Sequence, residues 1–198
     1  PQGRARQEAL LHLCRTNGLR SIGPNALGVI NTASSSRLNA SLAPTMPPAG
    51  RAGFFCQSGA LGSAILETVT EQGLGLSTFV SAGNRADVSG NDLLQYWLED
   101  DATEVVLLYL ESIGNPRKFS RIARRVSETK PIVAVKSGRS TQGVPVGHAV
   151  RPSSAPLQAV DAMFRQAGVI QVDTLDEMFD VAQILAHQPL PRGNRIAV

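Results

Sequence analysis

The sequence predicts an α/β fold in three layers, a parallel sheet covered by helices on both faces. Two observations carry that expectation. From residue 52 onward, short apolar runs alternate with amphipathic stretches of helical period, the pattern of a sheet whose strands are joined by helices. The run EVVLLYL at 104–110 also lacks polar alternation, which suits a strand buried on both sides. Composition agrees. The chain has 198 residues, 42% apolar and 18% charged, as a globular protein does, with room for one good-sized domain and flanking pieces.

Taken in order, residues 4–17 place Leu10, Leu11 and Cys14 on one side of a helix, with Gly18 as its stop. The stretch LRSIGPNALGVINT at 19–32 reads as a short strand running into a Gly/Pro/Asn turn. Residues 33–51 are rich in serine and carry Pro44, Pro47, Pro48 and Gly50 without helical period, so they read as a linker, with a domain boundary near residue 50. Beyond it, the expected strands are 53–56, 76–83, 104–111, 131–138 and 169–172. The expected helices between and after them are 58–73, 91–100, 116–130 with Pro116 in its first turn, one ending near Gln166, and 174–186. A loop at 139–156 separates the fourth strand from the next helix. Residues 187–198 form a Pro/Gly turn and then a new apolar run. Both ends are expected to lie inside a longer polypeptide.

Several classes of function are disfavoured by composition. A net charge of +3 with six Phe, two Tyr and one Trp lacks the dense basic, aromatic-interleaved stripe of a nucleic-acid binder. Arg121, Arg124 and Arg125 have the spacing of a solvated helix face. No apolar run approaches the roughly 20 residues of a membrane span, and no signal peptide follows the charged N-terminus. Cys14 and Cys56 have no metal-ligand or paired spacing, which fits free thiols in a reducing compartment. A cytoplasmic location is expected.

In an open parallel sheet, ligands gather at the carboxyl ends of the strands. After 53–56 come Gln57, Ser58, Gly59 and Ala60, where Ser58 caps a helix and the first-turn N–H groups face an anion. Taken alone, this motif fits an ordinary serine cap better than a ligand site. After the second strand come Gly83 and Asn84, after the third Glu111, and after the fourth Lys136, Ser137 and the loop that carries His148. A loop histidine by itself is usually structural. On this edge, a carboxylate that holds one ring nitrogen leaves the other as a nucleophile toward phosphorus. His12 and His187 lack such neighbours in sequence.

The motifs GPNALGVINT, FFCQSGALGSAI, STFVSAGNRADVSGNDLLQYW, VVLLYLESIGNPRKF, KPIVAVKSGRS and FRQAGVIQVDTLDEMFD occur in order along nearly the whole chain. In this the sequence resembles the ADP-forming (NDP-forming) acyl-CoA synthetases and, more distantly, the alpha chain of succinyl-CoA synthetase. The resemblance implies that residues 1–32 end a CoA-binding Rossmann-like domain and that 33–51 are a linker. It implies a flavodoxin-like CoA-ligase domain at 52–186, and in 187–198 a linker with the first strand of a following domain.

The implied reaction joins a small carboxylic acid to coenzyme A through an acyl phosphate and a phosphohistidine, with ATP/ADP and Mg held on an ATP-grasp domain in the same or a partner chain. Carried over by position, His148 of Gly147-His148-Ala149 is the phosphohistidine and Glu111 its partner. Gln57, Ser58, Gly59, Ala60, Gly83 and Asn84 form the phosphate site, and Gly23, Pro24 and Asn25 face CoA. No metal ligand is expected in this chain, a homo-oligomer is compatible with the resemblance, and the isolated segment is expected to be inactive. The sequence departs from the family after His148, where Pro152 and Pro156 occur and glycine does not through residue 156. RLNASLAP at 37–44, with QSGA at 57–60, is similar to the synthetase-like module of bacterial GNAT-fused protein lysine acetyltransferases. That resemblance implies a second reading, an inactive acyl-CoA-sensing module.

Overall fold

A computed structural model describes residues 2–137, 157–191 and 193. Seven strands form one sheet: β1 Gly28–Asn31, β2 Leu38–Ser41, β3 Ala49–Cys56, β4 Leu76–Ser81, β5 Val105–Leu110, β6 Ile132–Lys136 and β7 Val169–Val172. Six helices accompany them: α1 Gln2–Thr16, α2 Gly59–Glu71, α3 Gly90–Glu99, α4 Pro116–Ser127, α5 Leu157–Gln166 and α6 Leu175–His187. The spatial order is β2-β1-β4-β3-β5-β6-β7. The five strands from β3 to β7 pair in parallel, in the doubly wound order of the flavodoxin type.

The side chains of these strands divide between two cores, as residues alternating across a strand must. Val106, Leu108, Ile132 and Ala134 face the layer built by Leu94 and Trp97 of α3, Phe119 and Ile122 of α4, and Phe164 of α5. Phe54, Leu107, Val133 and Val135 face Ile65 and Val69 of α2 and Met178 and Phe179 of α6. This two-sided burial is why β5 reads as an unbroken apolar run. The one tryptophan is completely buried, and its indole Nε1 donates to Thr78 Oγ1 at 2.7 Å. Helix starts are fixed by side chains: Leu61 N donates to Ser58 Oγ at 3.3 Å, Lys118 N to Asn115 Oδ1 at 3.0 Å, and Glu177 N to Thr174 Oγ1 at 3.1 Å.

The expected α/β fold, a parallel sheet covered by helices, is present, and β1 and β2 add to it antiparallel: β1 pairs with both β2 and β4. Two expectations are corrected. The strand expected at the start of 19–32 forms after the Gly/Pro/Asn turn, not before it. Residues 33–51, expected as a linker, contain β2 and the first residues of β3. The signal was weak there because β2 is a four-residue edge strand with three exposed positions, so burial imposes no alternation on it. Helix α1 is present as expected, but none of its residues is buried, and Leu10 is exposed. Its apolar side does not enter the core of the described residues. No helix among them is long and apolar enough to cross a membrane.

Candidate functional site

The parallel strands all deliver their carboxyl ends to one edge. β3 lies between β4 and β5, so the chain leaves β3 toward one side of the sheet and later crosses to the other. The crevice between the ends of β3 and β5 is therefore the topological switch point, where ligands bind in such sheets. The ladder there closes with Cys56 opposite Tyr109, and between β5 and β6 with Leu110 opposite Lys136. Gln57, Glu111 and Ser137 follow directly.

At this point Ser58 caps α2, and the first-turn N–H groups have no acceptor within their own helix. Ala60 is exposed and Ser58 and Gly59 are half-buried, so this helix start is open to a ligand. Gln57 behaves differently. Its side chain is buried, Oε1 accepts from Glu111 N at 2.9 Å and Ser112 N at 3.0 Å, and Nε2 donates to Ser112 O at 2.7 Å. Three of the four hydrogen-bonding positions of its carboxamide are thus used within the protein.

Glu111 is half-buried at the tip of β5. Three groups feel its charge. Burial pushes the Lys136 ammonium below the usual lysine range, and Glu111 opposes that shift. Burial pushes the Tyr109 hydroxyl up; the proximity of the Ser137 hydroxyl opposes this and Glu111 adds to it. Burial pushes the Cys56 thiol up to about 12, against the effects of Ser81 and Ser58 and with a contribution from Glu111. Lys136 is itself buried and donates to Ser137 O at 2.6 Å. A carboxylate, a buried ammonium and a helix N-terminus thus occupy adjoining strand ends. Such a set can hold an anion and orient a proton-bearing ring beside it.

Gly83 and Asn84 follow β4, and the structure brings them to the 23–25 segment. Asn84 N donates to Pro24 O at 2.9 Å, Ala86 N to Gly23 O at 3.0 Å, and Asn84 Nδ2 to Gln7 Oε1 at 3.0 Å. Gly23 and Pro24 are joined by a cis peptide bond and use their carbonyls in this contact, whereas Asn25 is exposed. The same region carries an ion cluster: Asp87 Oδ2 accepts from Arg20 Nε at 2.7 Å and Ser21 N at 3.0 Å, and Arg15 lies 3.8 Å from Asp87 Oδ1. His148, the expected phosphate carrier, lies outside the described residues.

Sequence reasoning missed Arg85, whose Nη1 and Nη2 donate to Ser112 O at 3.1 Å and Ser112 Oγ at 2.6 Å. It also missed Ser81, whose hydroxyl accepts from Leu27 N at 3.0 Å and ties β4 to the lead-in of β1. Both lie inside the stretch STFVSAGNRADVSGNDLLQYW, which marks the family without saying what either side chain does. A signal for Arg85 existed only in its φ of 52°, which no local pattern announces.

The family model for the succinyl-CoA ligase like flavodoxin domain matches residues 49–185. Subunit alpha of the ADP-forming acetate–CoA ligase I of Pyrococcus furiosus is 36% identical over 198 residues, covering 100% of this chain and 42% of that protein. The ADP-forming 4-hydroxybutyrate–CoA ligase of Nitrosopumilus maritimus is 32% identical, covering 100% of this chain and 29% of its own length. Among solved structures, the dinucleotide forming acetyl-coenzyme A synthetase 1 of Ca. Korarchaeum cryptofilum in complex with phosphate and ADP superposes with a TM-score of 0.84. It is 33% identical and covers 94% of this chain and 40% of its own. The chain therefore spans less than half the length of each of these relatives.

Proposed function

Because the chain belongs to the family of succinyl-CoA ligase like flavodoxin domains, we propose that it is the phosphoryl-relay domain of an ADP-forming acid–CoA ligase. The relatives named above are ligases of this kind, acting on acetate or 4-hydroxybutyrate by their names. The observation that carries the reading is the position of Glu111 at the switch point, beside the open first turn of α2.

In this reading Glu111 accepts a hydrogen bond from one imidazole nitrogen of His148, and the other nitrogen attacks the phosphorus of an acyl phosphate. The carboxylic acid leaves as its carboxylate, and His148 keeps the phosphoryl group until ADP takes it. Gly59, Ala60 and the α2 dipole balance the phosphoryl charge, a contribution of about 0.3–1 kcal/mol from the dipole, more where partly buried. Gln57 and Asn84 support the strand ends through polar contacts within the protein, and Gly83 lets the 24–25 backbone approach the end of β4.

Of the residues expected to meet coenzyme A, Asn25 fits best, since the carbonyls of Gly23 and Pro24 are engaged. ATP or ADP with Mg belongs in this reading to an ATP-grasp domain of the same or a partner chain. A second reading, an acyl-CoA-sensing module of a GNAT-type acetyltransferase, is favoured by the proline-containing stretch after His148.

Labelled ATP separates the two. With the ATP-grasp partner present, the ligase reading expects an acid-labile, base-stable label on this chain that is lost in His148→Ala. An unlabelled wild-type chain would sink it and leave the sensing module.

A further inference from the structure

Helix α4, PRKFSRIARRVS, divides its surface by chemistry. Phe119, Ile122, Ala123 and Val126 are buried in the core, whereas Arg117, Lys118, Arg121, Arg124 and Arg125 are exposed. Those five cations outnumber the net charge of +3 of the whole chain, so the rest of the molecule is net acidic. The helix itself carries no acid. Among the described residues only Lys118 meets a carboxylate, Asp92 Oδ1 at 3.3 Å, and the four arginine side chains form no ion pair or hydrogen bond.

Exposure is what the spacing predicts, but solvation alone does not require this arrangement. Arg117 and Arg121, and Arg121 and Arg125, stand four residues apart, the spacing at which like charges on a helix repel. Arg117 and Lys118 also sit in the first turn, where the helix dipole opposes a cation. Helices α3 and α6 instead place Asp92, and Asp176 with Glu177, in that turn. Local rules are broken in this way chiefly where a function demands it. An anionic surface laid along α4 would balance the charge. The helix begins just past the end of β5, so its first turn lies at the ligand edge. A domain that carries ADP to that edge must abut it, and α4 leads away from there along one flank. The face offers no aromatic ring on which a base could stack, because Phe119 is buried.

We propose that the exposed basic face of α4 docks an acidic surface of the nucleotide-binding domain that exchanges phosphoryl groups with this one. This rests on the phosphoryl-relay reading. Exposed cations of this kind act on the encounter more than on final affinity, and their effect falls as salt rises.

The test uses the full-length ligase with its nucleotide-binding domain, in one chain or two. Carbodiimide joins an amine directly to a carboxylate, so Arg121→Lys keeps the charge and makes the face reactive. Lys118 can also link to Asp92 of its own domain, so position 121 decides. Links from it to aspartate or glutamate of the nucleotide-binding domain, mapped by mass spectrometry and lost in high salt, are expected. A second variant reverses three exposed charges, Arg117→Glu, Arg121→Glu and Arg125→Glu, and leaves the buried face intact. Labelling of the chain from ATP is expected to slow about tenfold. Labelling from acetyl phosphate, which needs no nucleotide-binding domain, is expected to keep its rate.

No link from position 121 to that domain overturns the proposal, as does an equal effect of the reversal on both donors. Binding of a short RNA that the reversed variant loses, with labelling from ATP unchanged, assigns the face to nucleic acid and also overturns it. If the reversed variant does not fold, the links decide alone. A wild-type chain that takes label from neither donor removes the relay reading and this proposal with it. Label from both donors, with no link and no slowing, removes this proposal only.

Discussion

Replacing Gly83 by alanine tests whether the 23–25 segment is seated on the end of β4. Gly83 has φ +51°, and a Cβ built there would fall on the Asn25 carbonyl and the Pro24 oxygen, well inside van der Waals contact. Both are backbone atoms and cannot swing aside. Alanine in the left-handed region costs about 1 kcal/mol by itself. Pushing the two loops apart also weakens the bonds from Asn84 N to Pro24 O and from Ala86 N to Gly23 O, each worth about 0.5–1.5 kcal/mol. The expected loss of stability is about 2–4 kcal/mol, the sum of the backbone cost and the two bonds. Gly73→Ala supplies the control: its φ is +68°, but its Cβ would meet nothing within 4 Å, so only the backbone cost of about 1 kcal/mol applies. Equilibrium urea unfolding followed by the fluorescence of buried Trp97 measures both variants. Equal losses in the two would refute the seating, and with it the placement of Asn25 at the strand ends.

Asp87→Asn should destabilise the chain by about 1 kcal/mol at neutral pH, a modest figure because Arg20 is largely exposed and its charge is screened. The hydrogen bonds from Arg20 and Ser21 hold the Asp87 carboxyl below the usual carboxylate range. Its contribution is therefore complete above that range and drains away as pH falls through the folded value. The gap between wild type and variant should close in acid, and a gap independent of pH would contradict the ion cluster. Thiol labelling at pH 8 should modify Cys14 in the folded chain and both cysteines in urea, because Cys56 is fully buried with its thiol pushed up to about 12. Rapid labelling of Cys56 without denaturant would mean that the end of β3 opens to solvent.

The sequence by itself determined the parallel core and the edge on which the site lies. Strands buried on both faces must be apolar throughout, so β5 and β6 were legible as runs, and α4 announced itself through Pro116 in its first turn. Ser58 and Glu111 could be assigned to strand ends because strand order in a parallel sheet already dictates which ends face a ligand. Tertiary structure alone decided the rest. Strand β2 has no buried face to impose a pattern, and the β1–β2 hairpin is held by pairing with β4, a partner more than thirty residues away in the chain. The role of Gln57 was also beyond the sequence. A motif marks where a polar side chain begins, but whether it faces a ligand or a neighbouring backbone depends on the β5 chain arriving 54 residues later. Local sequence carries propensity and burial period; contacts between distant segments are settled only when the chain closes on itself.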